Sequence, residues 1–135
     1  LSGAKIILVD NNIFFRNGLK NILQNLGNVD IIGIASDGIE FIEILEKNKP
    51  DIVFIDIQMP NLNGFEAAKM ALEIFPDLIV IAFSGYEEDS YIKKMVDIGA
   101  KGYLSKSRNN IEILKKIIVN RKQGYFFSEE LNFEI

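Results

Sequence analysis

Apolar residues follow two alternating rhythms along this chain. Five short runs are apolar at nearly every position: Lys5–Val9, Val29–Ala35, Ile52–Ile55, Leu78–Phe83 and Gly102–Leu104. Runs of this length, bounded by turn-forming residues, predict buried β-strands. Between them apolar residues return every three or four positions, which predicts amphipathic helices. The first helix carries Phe15, Leu19, Ile22, Leu23 and Leu26 and ends at Gly27-Asn28. The second carries Phe41, Ile42 and Leu45; Asp37 and Glu40 open it at capping-box spacing, and the stretch from Asn48 to Pro50 stops it. Phe65, Ala68, Leu72 and Phe75 mark a third stripe closed by Pro76, and Tyr91, Ile92, Met95 and Val96 a fourth that stops at Gly99. Ile111, Leu114, Ile117 and Ile118 mark the last.

Strands that are apolar throughout, rather than at every second residue, belong to parallel sheets covered on both faces. Right-handed crossovers then favour an α/β, flavodoxin-like, doubly wound sheet of five strands in the order 2-1-3-4-5. The predicted elements fill residues 1–123 as one domain. Residues 124–135 have no clear period and are expected to form a C-terminal tail.

Composition narrows the chemistry. The chain has neither cysteine nor histidine, which removes thiol nucleophiles, thiolate metal sites, imidazole acid–base catalysis and any role as a phosphohistidine donor. A net charge of −4 argues against non-specific nucleic-acid binding by this segment. No apolar run approaches membrane-spanning length and no signal-peptide pattern opens the chain, so the expectation is a soluble cytoplasmic protein without a membrane partner. The chain opens on Leu1 rather than Met, as a piece of a longer protein would.

The stretch Asp51–Gly64, DIVFIDIQMPNLNG, concentrates the signal. Its apolar strand ends on Asp56, and Pro60, Asn61, Asn63 and Gly64 then enforce a turn. Open α/β sheets place their chemistry at the carboxyl ends of their strands. The other predicted strands end on Asp10-Asn11, on Ser84 and on Lys106. Singly, each has an ordinary explanation: an Asp after a strand is usually a cap or turn former, Ser84-Gly85 a common turn, Lys106 a solvated lysine, and Tyr103 a packing residue. Jointly, they bring two carboxylates, a hydroxyl and an ammonium to one sheet edge. Adjacent carboxylates need a cation, and an all-oxygen site suits Mg²⁺. A carboxylate can attack phosphorus to give an aspartyl-phosphate, whose added charge Mg²⁺, a lysine and a hydroxyl would offset.

Four linked motifs carry a resemblance: VDN at Val9–Asn11, IDIQMPNLNG at Ile55–Gly64, FSG at Phe83–Gly85 and GAKGYLSK at Gly99–Lys106. Over Lys5 to about Gln123 the chain resembles the receiver domain of bacterial two-component response regulators. NNIFFRNGLKNIL after the first strand and the ending QGYFFSEEL are similar to receivers that precede a LuxR/NarL-type helix-turn-helix domain. The resemblance implies that Asp56 is the phosphoacceptor and that Asp10 helps hold Mg²⁺ (with Mn²⁺ as an alternative), together with Asn11, Asp56 and the Gln58 backbone carbonyl. It implies that Ser84 bonds a phosphoryl oxygen, that Lys106 pairs with the phosphoryl group, and that Tyr103 turns inward when Ser84 moves. Pro60 and Gly64 would shape the loop after the acceptor, and Gln58 and Tyr86 would influence how fast the phosphoryl group is lost. The implied partners are a histidine kinase and a second copy of the chain in a homodimer. DNA would be reached only through an output domain absent from this chain, to which residues 124–135 would begin the linker.

Two residues depart from the family pattern. Asn11 stands where a second acid usually binds Mg²⁺; its amide oxygen can coordinate but brings no charge, so weaker Mg²⁺ binding and slower phosphorylation are expected. Ser107 stands where many receivers carry Pro. The competing reading is a phosphorylation-independent interaction module with a degraded Mg²⁺ site. A phosphatase acting through an aspartyl-phosphate would need an acid where Gln58 stands, and no GxxxxGK[ST] phosphate loop occurs.

Overall fold

The computed structural model describes residues 3–128. Strands β1 (Ala4–Val9), β2 (Val29–Ala35), β3 (Ile52–Asp56), β4 (Ile79–Ser84) and β5 (Gly102–Ser105) alternate with helices α1 (Ile13–Leu26), α2 (Gly38–Leu45), α3 (Gly64–Ile74), α4 (Asp89–Ile98) and α5 (Ile111–Asn120). All strand pairs are parallel, and the expected order 2-1-3-4-5 is present. The strand count is a correction: a sixth strand, β6 (Phe126–Phe127), pairs in parallel with β5, so the sheet has six strands in the order 2-1-3-4-5-6. Two residues are too few for any period to show. A signal for it does exist in β5, where a Cβ on Gly102 would lie 2.5 Å from the Phe126 carbonyl oxygen. Glycine admits the extra strand there. The rest of the expected tail, beyond Ser128, lies outside the described residues.

The sheet is buried on both sides, which is why its strands read as continuous apolar runs. Ile7, Val9, Val53, Ile55, Val80, Ala82 and Tyr103 pack toward one face, with Phe41, Ala68 and Met95 from α2, α3 and α4. Their alternate neighbours Ile6, Leu8, Phe54, Ile81, Phe83 and Leu104 face the other way, toward Leu19 and Leu23 of α1 and Leu114 and Ile117 of α5. Two members of the predicted stripes are not in the core: Ile111 of α5 is 40 % exposed, and Ile22 of α1 is 37 % exposed. Ile22 lies about 100° round the helix from fully buried Leu23, at the rim of the apolar stripe. There it helps line a groove of about 370 Å³ between α1 and α5.

Local chemistry fixes where the first three helices begin. Asn12, Asp37 and Asn63 each cap a helix by accepting the backbone N–H three residues on, at 3.1, 2.8 and 3.0 Å. At Asp37 the expected capping box is altered, because Glu40 reaches back to the Ser36 N–H, not to that of Asp37. Register then carries the strand ends to one edge, since Val9 pairs with Ile55, Asp56 with Phe83 and Ser84 with Ser105.

Gly64 is where this architecture is least tolerant. A Cβ there would overlap the Asp56 carbonyl oxygen and stand 2.6 Å from the Ile57 Cα, both of them backbone atoms that cannot rotate away. Gly64→Ala should therefore lower stability by about 2–3 kcal/mol or more, the range for overpacking against fixed neighbours. Urea unfolding checks this, and a midpoint unchanged from wild type would contradict it.

Candidate functional site

Three strand ends use the same local device. Asp10 Oδ1 accepts the Asn12 N–H at 2.8 Å, Asp56 Oδ1 the Gln58 N–H at 3.2 Å, and Ser84 Oγ the Tyr86 N–H at 2.9 Å. Each side chain is thus tied to the backbone two residues on, which sets its direction as the chain leaves the sheet. The helix cap after β1 is Asn12, so Asp10 is not spent as a cap. For both aspartates Oδ2 remains, and both point it at Lys106. The Lys106 ammonium lies 2.8 Å from Asp10 Oδ2 and 3.3 Å from Asp56 Oδ2. Asp10 and Asp56 are buried, at 4 % and 9 % exposure.

Two like charges held this close disfavour each other. Burial, and secondarily the charge of Asp10, push the Asp56 carboxyl above its ordinary value; Lys106 and the Gln58 N–H pull the other way. The lysine itself is held from a direction the sequence did not disclose: its ammonium sits 4.5 Å from the centre of the Phe15 ring, which meets Phe83 edge-on at 5.1 Å. Arg16, one residue on, donates from Nη1 to the Asp10 and Ala35 carbonyls and to Ser36 Oγ, tying the ends of β1 and β2 together. The spacing pattern assigned Phe15 to the core of α1 and gave Arg16 no role.

The remaining predicted residues ring this centre. Tyr103 is fully buried and its hydroxyl donates to the Tyr86 carbonyl at 2.5 Å. Burial pushes the phenol up to about 12, with the Ser84 hydroxyl beside it acting in the opposite sense. Tyr86 in turn donates its own hydroxyl to Gln58 Oε1 at 3.0 Å, so the two residues bridge the mouth of the site. Pro60 and Gly64 bracket a loop in which Asn61 takes the left-handed conformation (φ 69°) and donates to Asp37 Oδ2 at 2.9 Å. Asn11 lies exposed beside Asp10 and does not join the lysine cluster.

A second cluster was not legible in the sequence. Glu87 receives Arg108 Nε at 2.9 Å and Nη2 at 2.7 Å, together with the Ser105 hydroxyl at 2.6 Å. These bonds hold its carboxyl down at about 2. The clamp joins the loop after Ser84 to the loop that carries Lys106, and Ser107 Oγ lies 3.4 Å from Glu87 Oε2. The clamp's contribution to stability is complete above the ordinary Glu value of 4.5 and is lost as the pH falls toward 2.

The donor set of the centre fits a hard divalent cation. Every candidate ligand is an oxygen, and Asp10 Oδ2 is buried and accepts no hydrogen bond despite its ion pair. Among the described residues no group of three or more His, Cys, Asp or Glu converges as a metal site.

With fold and site described, comparison with known proteins assigns the class. The chain belongs to the response regulator receiver domain family, whose model matches residues 6–118. It is 28 % identical over 131 residues to the transcriptional regulatory protein DegU of Brevibacillus brevis, covering 97 % of this chain and 56 % of DegU. The receiver domain of a NarL response regulator from Mycobacterium tuberculosis superposes with a TM-score of 0.81 at 24 % identity, covering 92 % of this chain and 99 % of that one. The isolated receiver domain of RcsB from Salmonella enterica serovar Typhimurium, solved with the phosphomimetic BeF3⁻, gives 0.86 at 20 % identity, covering 96 % of each. At these identities the structural likeness is one of fold. The chain spans about half the length of the curated relatives it matches, and no helix among the described residues is long and apolar enough to cross a membrane.

Relieving the carboxylate pair should be measurable as stability. Because the Asp56 carboxyl is raised in the folded protein, its contribution favours folding below its unfolded value of 3.8 and is lost as the pH rises through its folded value. Asp56→Asn should therefore melt above wild type at pH 7 by roughly 2–5 °C, the shift that about 1 kcal/mol produces in a domain of this size. The advantage should disappear toward pH 3. Thermal melts followed by circular dichroism at the two pH values check the sign.

Proposed function

We propose that the chain is the phosphoacceptor receiver of a two-component response regulator, taking a phosphoryl group from a histidine kinase onto Asp56 and passing the change to a transcriptional output. The observation that carries the reading is the placement of one ammonium, that of Lys106, against both Asp56 and Asp10, with Asp10 Oδ2 buried and accepting no hydrogen bond. A surface lysine has no reason to be held there. The donor imidazole must come from the kinase, because this chain has no histidine.

In the reaction an Asp56 carboxylate oxygen attacks the phosphorus of the phosphohistidine, the P–N bond breaks, and its electron pair leaves on the imidazole nitrogen. Asp56 Oδ1 is oriented by the Gln58 N–H. Lys106, already within 3.3 Å of Asp56, takes up the charge that arrives on the phosphoryl oxygens. Ser84 would exchange its bond to the Tyr86 N–H for one to a phosphoryl oxygen. Mg²⁺ (or Mn²⁺) would be held by Asp10, Asn11, Asp56 and the Gln58 carbonyl, and supplies a charge that neutralises phosphoryl and carboxylate oxygens together. With an amide at Asn11 the site holds one negative charge fewer than a three-acid site.

The switch residues are already in contact. Ser84 and Tyr103 meet through the Tyr86 backbone, so a shift of Ser84 toward a phosphoryl group disturbs the carbonyl that Tyr103 holds. That couples the acceptor to the surface of α4, β5 and α5. Gln58 and Tyr86, joined over the mouth, stand between the acceptor and water and would set how fast the phosphoryl group is hydrolysed. The transcriptional output is supported by the name of the DegU relative, and it would act on DNA, as a monomer or homodimer, through a domain outside this chain.

Intact mass after incubation with acetyl phosphate and Mg²⁺ tests the reading. One phosphoryl adduct is expected on wild type and none on Asp56→Ala; Lys106→Ala should react roughly 10²-fold more slowly. An adduct that survives in Asp56→Ala, or none on wild type at saturating donor, would sink it. Asn11→Asp should tighten Mg²⁺ binding by on the order of tenfold through the added charge, as read by calorimetric titration. Equal affinity would mean that Asn11 does not face the metal.

A further inference from the structure

Ser105, the residue before Lys106, is fully buried, and every polar group it has is committed. Its N–H donates to Ser128 Oγ at 2.7 Å, its carbonyl accepts Asn110 Nδ2 at 2.8 Å, and its hydroxyl donates to Glu87 Oε2 at 2.6 Å. The Ser128 hydroxyl closes the ring by donating to Asn110 Oδ1 at 2.6 Å. Asn110 has only one orientation that satisfies these bonds, with its NH₂ toward the Ser105 and Arg108 carbonyls and its oxygen toward Ser128. The peptide that launches Lys106 is therefore fixed from the start of α5 and from the end of β6. Lys106 itself is anchored on the remaining side, its N–H donating to the Ser84 carbonyl at 2.8 Å.

Ser128 belongs to the segment that the sequence offered only as a tail. It is 2 % exposed, and its N–H reaches the Tyr103 carbonyl at 3.4 Å, while the Phe126 N–H reaches that of Lys101 at 2.8 Å. The tail strand thus touches the backbone of the switch tyrosine and the backbone next to the site lysine within three residues. A buried ring of hydrogen bonds is kept whole or lost whole, because each member left alone is an unpaired polar group without water.

We propose that Ser105, Asn110 and Ser128 are positioning residues for Lys106, and that through Ser128 the docking of the β6 segment is coupled to the occupancy of Asp56. The proposal rests on the phosphoacceptor reading and adds its route to the C-terminal segment. The docked tail holds Lys106 toward Asp56, where a phosphoryl group needs it, so the coupling is positive. Occupancy of Asp56 strengthens docking of Phe126–Ser128, and docking strengthens occupancy by the same factor.

The test uses the complete 135-residue chain with beryllofluoride and Mg²⁺ as the phosphoryl probe. Residue-resolved hydrogen exchange should show the Phe126 and Ser128 amides slowing several-fold when the probe binds. Ser128→Ala should weaken probe affinity roughly fivefold to tenfold, and Ser128→Thr, which keeps the hydroxyl, should restore it. Probe binding that protects residues 56–58 and 84–86 but leaves the β6 amides unchanged would overturn the coupling and leave the phosphoacceptor reading standing. Wild-type affinity in a folded Ser128→Ala would do the same. If Ser128→Ala does not fold, the wild-type exchange and the Thr variant decide. A wild type that never binds the probe would overturn both.

Discussion

The centre of this molecule depends on one cation. Asp10 and Asp56 end neighbouring parallel strands, both buried, and the sheet leaves them no freedom to separate. Without Lys106 that edge would carry two poorly solvated like charges, a several-fold larger electrostatic penalty than the same pair would meet in water. With it, the strand end of β5 is drawn to those of β1 and β3 across β4, and the loops after each strand inherit fixed positions. Asp56 remains raised despite the lysine, because burial and Asp10 outweigh it. Incoming cationic charge on that side has something to relieve.

What surrounds the lysine shows how a surface residue is kept in place. Ammonium groups on four-carbon stems lose considerable entropy when fixed. Here the Phe15 ring holds one side and the two carboxylates another. The backbone beneath is pinned at Ser105 and at the Lys106 N–H. The Glu87–Arg108 clamp adds a bond between the two loops that flank the site. The lysine loop continues into Ser107 and is held by polar side chains from three elements. Such placement rests on bonds that can be exchanged rather than on a covalent ring.

The fold was legible because the sheet is covered on both faces: continuous apolar runs such as Ile52–Ile55 can be little else when helices separate them. The principal site residues were legible for a related reason, since parallel topology forces strand ends together whatever side chains they carry. Asp56, Asp10, Ser84 and Lys106 could thus be placed at one edge before any coordinate was known, and they lie there. What could not be read is what depends on angle and on distant pairing. Ile22 falls about 100° from fully buried Leu23, at the edge of the apolar stripe, which spacing alone resolves poorly. Phe15, on the same side of the helix as Ile22, meets the lysine only because the loop after β5 reaches the first turn of α1. Glu87, Arg108 and Asn110 are ordinary loop residues in sequence, and only the meeting of two loops gives them partners.

The sixth strand carries the same lesson to the end of the chain. Two phenylalanines after a glycine have no period, and nothing in their local sequence demands a sheet. Their partner does: Gly102 leaves the space, the Lys101 and Tyr103 carbonyls leave acceptors, and the Ser105 N–H leaves a donor for Ser128. Phe126 is buried in the core on the α1/α5 face and Phe127 packs against the core of the opposite face, so apolar burial holds the segment while the polar bonds set its register. They fall on Lys101, Tyr103 and Ser105, so the last of them reaches the residue just before Lys106. A segment anchored in the core but set in register by hydrogen bonds to the backbone beside Lys106 is tied to the geometry of that lysine as well as to the core.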